Sequence, residues 1–155
     1  MSYPIDAKAF DDVRDALRGV SIAAGYSINL SVAEEQADPV SPRHGTVIVG
    51  MAKRGPDDEV EFPALGHDEY WLPIGIQVYA IQSTRNIQTP IRLILQSIVS
   101  DVKKALAVDV YRGGYANNTV IPDKEIIFYE DASPPCVLIV AKLHIRTLWD
   151  NPEDQ

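Results

Sequence analysis

The chain has 155 residues, 46% of them hydrophobic and 23% charged, the proportions of one ordinary globular domain and not of a disordered segment. A formal net charge of −8 argues against a protein whose main task is gripping nucleic acid, which needs clustered lysine and arginine; a conduit that DNA merely passes through stays open. The lone Cys136 excludes an internal disulfide and a cysteine-only zinc cage. No apolar run of about 18 residues exists to span a membrane, and Met1–Asp6 lacks the charged-then-apolar order of a signal peptide. A soluble protein made in a cytoplasm is the expectation.

In chain order, Phe10, Val13, Leu17, Val20 and Ala24 recur at intervals of three and four, which predicts a helix over 6–24 capped by Asp6 and stopped by Gly25. Residues 26–32 read as a first strand, 34–45 as an acidic, proline-bearing loop, and 46–52 (TVIVGMA) as a strand. Lys53–Asp58 holds Gly-Pro and Asp turn chemistry, and Val60–Phe62 is expected to complete a hairpin. From Trp71, the residues Leu72, Ile74, Ile76, Val78 and Ala80 alternate with polar or aromatic ones, the period of a long strand. After a polar turn over 83–88, the period changes: Ile91, Ile94, Leu95, Ile98, Val102, Ala105 and Leu106 form one stripe of a second helix, with Thr89 as its cap and Pro90 in its first turn. Tyr111–Asn118 reads as a glycine-bearing loop, 119–129 and 136–148 as two strands joined through Pro134-Pro135, and 150–155 as a frayed acidic tail. In the last strand Val137, Ile139, Ala141, Leu143 and Ile145 face one way, with Lys142, His144 and Arg146 opposite.

A strand and a helix that each bury one side need a shared core. The predicted fold is therefore α+β: a mixed, mainly antiparallel sheet with two helices packed on one face, in the order α-β-β-β-β-α-β-β. Nothing in the composition divides the chain, so residues 1–155 are expected to form a single domain.

Catalytic chemistry finds little footing. Gly113-Gly114 follows a helix, whereas a phosphate cradle needs a strand before it and a helix N-terminus behind it. In His67-Asp68-Glu69 neighbouring side chains on an extended segment point to opposite sides, and His44 and His144 lack ligand spacing, so no metal is expected. Cys136 has no nearby cation to activate it, and Ser27, Ser31 and Ser41 lie in no nucleophile-elbow pattern. The acidic run Asp57, Asp58, Glu59 and Glu61 reads first as a solvated turn, and second as a loop that would repel DNA from a channel wall. No catalytic residue, cofactor or metal is assigned.

Charge geography is the remaining signal. Arg85, Arg92, Lys103, Lys104 and Arg112 stand against only Asp101 and Asp109 within 85–112, while the rest of the chain holds nine basic and twenty acidic residues. Such polarity favours head-to-tail contact between copies, the heterologous kind that closes into a ring.

The succession of a helix ending near Gly25-Tyr26, the strand Ile74–Tyr79, the helix segment Leu95–Leu106, a Gly-Gly loop leading to Thr119-Val120, and a last strand closing on Arg146-Thr147 and Asp150-Asn151-Pro152 resembles the tail terminator (tail completion) proteins of long-tailed bacteriophages. The resemblance covers nearly the whole chain and consists of element order and short motifs. It departs from the family pattern at 53–69 and 34–45. It implies a virion structural protein in the tail-neck region, assembled in the host cytoplasm. There a ring, a hexamer in that family, caps the tail tube, stops its polymerisation and offers a surface to the head connector, with the genome only passing through the lumen. Carried onto this sequence, it places Arg85, Arg92, Tyr111, Arg112 and Tyr115 at subunit interfaces, and Asp57, Asp58, Glu59 and Glu61 toward the channel or a neighbouring ring. The alternatives are another neck or tail component (a head-completion protein or the tube subunit) and a small α+β ligand-binding protein or enzyme.

Overall fold

The structure, a computed structural model, describes residues 5–33, 42–60, 67–81 and 89–148. Two helices, α1 (Ile5–Arg18) and α2 (Ile91–Ala107), accompany six strands: β1 (Ser31–Val32), β2 (Thr46–Met51), β3 (His67–Tyr79), β4 (Asn118–Val120), β5 (Ile126–Tyr129) and β6 (Cys136–Leu148). The fold is α+β with a mixed, mainly antiparallel sheet, in the predicted element order.

The centre of the sheet is β3 against β6. They pair antiparallel along all their length, from His67 opposite Leu148 to Tyr79 opposite Cys136. β2 runs antiparallel on the other edge of β3, from Val47 opposite Val78 to Met51 opposite Ile74, and β1 adds a short parallel edge. Along the far edge of β6, β5 takes Cys136–Ile139 and β4 takes Lys142–His144. Pro73 is tolerated in the middle of β3 for a geometric reason. Its carbonyl accepts the Ala52 N–H at 3.0 Å, so its missing N–H faces the side on which β2 is leaving the sheet.

The period-two pattern sorts β3 and β6 into faces. Leu72, Ile74, Ile76 and Val78 join Val137, Ile139, Ala141, Leu143 and Ile145 on the covered face, where they meet Val13 and Leu17 of α1 and Leu95, Ile98 and Val102 of α2 in one apolar cluster. Among the described residues, the turn after β2 and Glu125 from the turn between β4 and β5 reach the opposite face, both at Lys142.

Several boundaries differ from expectation. α1 ends at Arg18, because the chain turns back through Ser21–Gly25: Ala24 N–H and Tyr26 N–H both donate to Ser21 O. Val20 is still buried, but from that turn and not from a helix. Only Ser31–Val32 of the expected first strand pairs. α2 begins at Ile91 with Pro90 in the cap position, where its carbonyl accepts Leu93 and Ile94 N–H. The expected strand 119–129 is two, since Pro122 opens a 3-10 turn at Asp123–Glu125 between β4 and β5. Residues 61–62 of the expected hairpin, the 83–88 turn and the 150–155 tail lie outside the described residues; Glu59 bridges to Tyr70.

Gly45 holds the join between β1, β2 and β3. It donates to Tyr79 O and accepts from Ser31 N–H, each at 2.9 Å, at φ +87°. A Cβ here would overlap the carbonyl oxygen of Asn29. Gly45→Ala is expected to lower stability by about 1–3 kcal/mol from backbone strain, and further through the displaced Asn29 carbonyl. Gly50→Ala, with ordinary φ and open space over it, serves as the control and should cost nothing in urea melts.

Candidate interaction surface

The exit of α2 is where the predicted contact residues Tyr111, Arg112 and Tyr115 fall. A helix ends with four carbonyls that lack intrahelical partners and a partial negative charge. Arg112 supplies both needs. Its backbone enters the left-handed region (φ +49°), and its guanidinium, only 1% exposed, donates from Nη2 to Leu106 O at 2.6 Å and to Asp109 O. Nη1 lies 3.3 Å from Oδ1 of Asp12 on α1, so one side chain ties the two helices. Burial pushes the Arg112 guanidinium down from its usual range, against the charges of Asp12 and Asp109; an arginine stays cationic there. Burial raises the Asp12 carboxyl above the ordinary carboxylate range, with Asp109 and Asp15 adding to it and Arg112 opposing it. Asp109 is held below that range, because its carboxylate accepts Gly113 N–H at 2.8 Å and Tyr111 N–H at 3.0 Å.

Gly113 (φ +68°) and Gly114 (φ +96°) complete the reversal, and Ala116 N–H closes it on Tyr111 O at 3.0 Å. With Arg112 turned inward, its neighbours are thrown outward: Tyr111 is 60% exposed and Val108 80%. Tyr115 is also exposed, with Lys8 Nζ 5.7 Å from its ring centre. Tyr111 and Tyr115 thus sit where a surface contact needs them. Arg112 does not: it is an interior residue, and its assignment to a subunit interface is corrected accordingly.

The basic stretch 85–112 is also less of a patch than its composition suggests. Arg92 is exposed but pairs with Glu130 at 2.7 Å and lies 3.8 Å over the Phe128 ring. Lys103 reaches Asp123 at 3.3 Å, and Lys104 lies over Tyr26. Arg85 lies outside the described residues. The polarity read from the sequence is largely spent within the chain.

The acidic run after β2 is tied down as well. Pro56–Asp58 forms a 3-10 turn folded against the open face of the sheet. Asp58, buried, meets Lys142 Nζ of β6 at 2.7 Å through Oδ1 and accepts Gly55 N–H at 2.7 Å through Oδ2; Glu125 stands 3.7 Å from the same ammonium. Burial alone would raise the Asp58 carboxyl; the Lys142 hydrogen bond, the Gly55 N–H and the nearby Lys142 and Arg54 charges outweigh it and hold it below the ordinary value. The bond to Asp58 raises Lys142, against a smaller lowering by burial. Asp57 and Glu59 remain exposed, with Lys124 3.6 Å from Asp57, while Glu61 lies outside the described residues. A channel-facing role for Asp58 is therefore corrected: it is an internal lock. Only the lysine standing inside the apolar run of β6 could have signalled it.

Other polar groups are likewise engaged. Glu69 faces His144 at 3.4 Å and Arg146 at 3.9 Å, and His144 stacks on Trp71 with ring centres 5.0 Å apart. Asp101, buried on α2, accepts both the N–H and the hydroxyl of Ser27. Cys136 is buried, with Gln77 Nε2 3.5 Å from its sulfur. No three His, Cys, Asp or Glu side chains among the described residues gather as a metal site. A cleft of about 620 Å³ lies between Ser27-Ile28, His44 and the first half of α2; its walls are mainly aliphatic and hydroxyl-bearing. His44 Nδ1 there accepts Ile81 N–H at 2.9 Å, and burial lowers the imidazole pKa. No protein-family model matches the chain, and no curated protein matches it.

Arg112→Ala leaves α2 uncapped and Asp12 without its ion pair; it is expected to cost about 3–5 kcal/mol, whereas Tyr111→Ala should stay within about 0.5 kcal/mol, both read by urea unfolding. For Lys142→Ala a loss of about 3–5 kcal/mol is likewise expected at neutral pH. The pH dependence has a definite sign. The folded pKa of Asp58 is depressed below 3.8, so its contribution is whole above that value and lost as pH falls through the lower, folded one. The gap between wild type and Lys142→Ala should therefore be flat near neutrality and shrink in acid as Asp58 takes up its proton. A gap that widens in acid would contradict the lock.

Proposed function

We propose that this protein is a virion structural protein that assembles into a ring, caps a phage tail tube, stops its growth and presents a surface to the head connector. The observation that carries the reading is the face of the sheet turned away from the helices, which few of the described residues cover. An antiparallel sheet with one face in water ordinarily shows polar residues there. Here the open face carries Ile48, Leu138 and Val140, half-buried, with Ile127 45% and Tyr129 43% exposed on β5. Gly50 and Gly75, register partners with ordinary φ, leave a flat strip beside them with open space over Gly50. Contiguous exposed apolar surface of this kind marks contact with another macromolecule.

Three further features agree with assembly. Past the point where β2 leaves, the far end of the β3–β6 pair has only the Glu59–Tyr70 bridge on that side, and β6 beyond His144 has no outer partner among the described residues. Such edges are what a protein capping a β-rich tube would pair with or cover. Tyr111 and Tyr115 supply aromatic contact area of the kind enriched at interfaces. The buried carboxylates Asp58 and Asp101 are engaged by Lys142 and Ser27, which is structural work and not acid–base chemistry. Partners in this reading are further copies of the chain, the tube protein and the connector, with DNA as passing cargo.

Negative-stain microscopy with light scattering of the purified chain is expected to give discrete closed rings, six-fold by the family resemblance. Unlimited fibres would instead favour a tube subunit. In phage particles, loss of the gene should yield tails of uncontrolled length that fail to join capsids; normal attached tails would overturn the proposal.

A further inference from the structure

The cleft of about 620 Å³ between Ser27-Ile28, His44 and the first half of α2 is of the size that encloses a large side chain. Its apolar wall is formed by Leu93, Ile94 and Ile98, and Leu93 is 52% exposed. In a chain of net charge −8, no carboxylate stands among the described residues that line it. His44 Nδ1 accepts Ile81 N–H, so the neutral imidazole carries its proton on Nε2, where no intrachain acceptor meets it. Arg43, the preceding residue, is exposed. Among the described residues every lysine and arginine side chain has an intrachain partner except Arg43 and Lys53. An apolar cleft without acids, next to an unpaired guanidinium, suits an apolar body joined to an anion.

The chain has such a segment. Residues 149–155 follow β6 outside the described residues and hold Trp149, then Asp150, Glu153 and Asp154, with no lysine or arginine. β6 has 13 residues, so its two ends stand roughly 40 Å apart at about 3.3 Å per residue. Leu148, next to Trp149, lies opposite His67 at one end, and Cys136 lies opposite Tyr79 at the other. The cleft belongs to the Tyr79 end: Gly45 N–H, beside His44, donates to Tyr79 O, and His44 holds Ile81. Neighbouring Cα atoms are about 3.8 Å apart, so Trp149 cannot reach the cleft of its own chain. We infer that the cleft receives Trp149 of a second copy of this chain, its ring against Leu93, Ile94 and Ile98, with Asp150 of that copy paired with Arg43. One end of the central strand pair thus enters the opposite end of the next copy, a head-to-tail contact that propagates around a ring. The inference rests on the ring reading and gives it one specific joint.

Substitution on both sides of the joint tests it. Leu93→Glu puts a charge on an exposed wall of the cleft, and Trp149→Ala removes the anchor; circular dichroism checks that each folds. Each is expected to raise the concentration needed for half-assembly, read by light scattering, by about tenfold or more. Arg43→Glu and Asp150→Arg should each raise it by about threefold, and the double variant should return it to within about twofold of wild type. Lys53→Glu, the other unpaired cation, should leave assembly unchanged. A second readout needs no loss of the anchor: in Trp71→Phe, Trp149 is the sole tryptophan, and its emission should move to the blue as copies assemble. Normal assembly of folded Leu93→Glu or Trp149→Ala, or Trp149 emission that ignores assembly, overturns the joint, while rings in the wild type keep the ring reading intact. If the wild type stays monomeric at all concentrations, both fall.

Discussion

The rest of the molecule depends on the antiparallel pairing of β3 with β6. Both strands are long, and their register sets Leu72, Ile74, Ile76 and Val78 of one beside Leu143, Ala141, Ile139 and Val137 of the other, all of them buried. A slip of one residue would turn each set to the uncovered face, so the pattern itself fixes the register. Every other strand except β1 is placed by hydrogen bonding to one of these two, and both helices bury their stripes against the face they create.

The two sides of that sheet have different tasks. The covered side is the core. The other side is partly claimed by the Pro56–Asp58 turn, pinned by Lys142, and carries a strip of glycine backbone beside aliphatic side chains. At the end of α2, one inward arginine organises the loop so that tyrosines face water. The apolar surface a monomer would ordinarily hide is thus displayed in two places, on rigid elements and on a loop braced by hydrogen bonds.

How much of this was legible depends on the range of the interaction involved. The bounds of β6 and the stripe of α2 follow from periodicity, a property of consecutive residues, and both match. Val20 and Ala24 continue the spacing of α1, yet the chain turns at Ser21, because periodicity registers burial and Val20 is buried from a turn as readily as from a helix. Periodicity runs β4 and β5 together as one strand although Pro122 stands between them, and that proline is the local signal of the break. The Lys142–Asp58 lock and the placement of Arg112 were not legible, since each joins segments distant in sequence or depends on which way one side chain turns. Charge counts treat Arg112 and Arg92 alike, whereas one is interior and the other lies on the surface.

The central pair has a kinetic corollary for synthesis on the ribosome. Gln77 and Cys136, which touch across it, are 59 residues apart, and α2 lies between them. β3 emerges early with its aliphatic face complete, then waits through the making of α2, β4 and β5 before its partner exists. Closing so long a loop is slow, and an unpaired strand edge is sticky in the interval. The nascent chain therefore spends its riskiest moments with its future core laid bare.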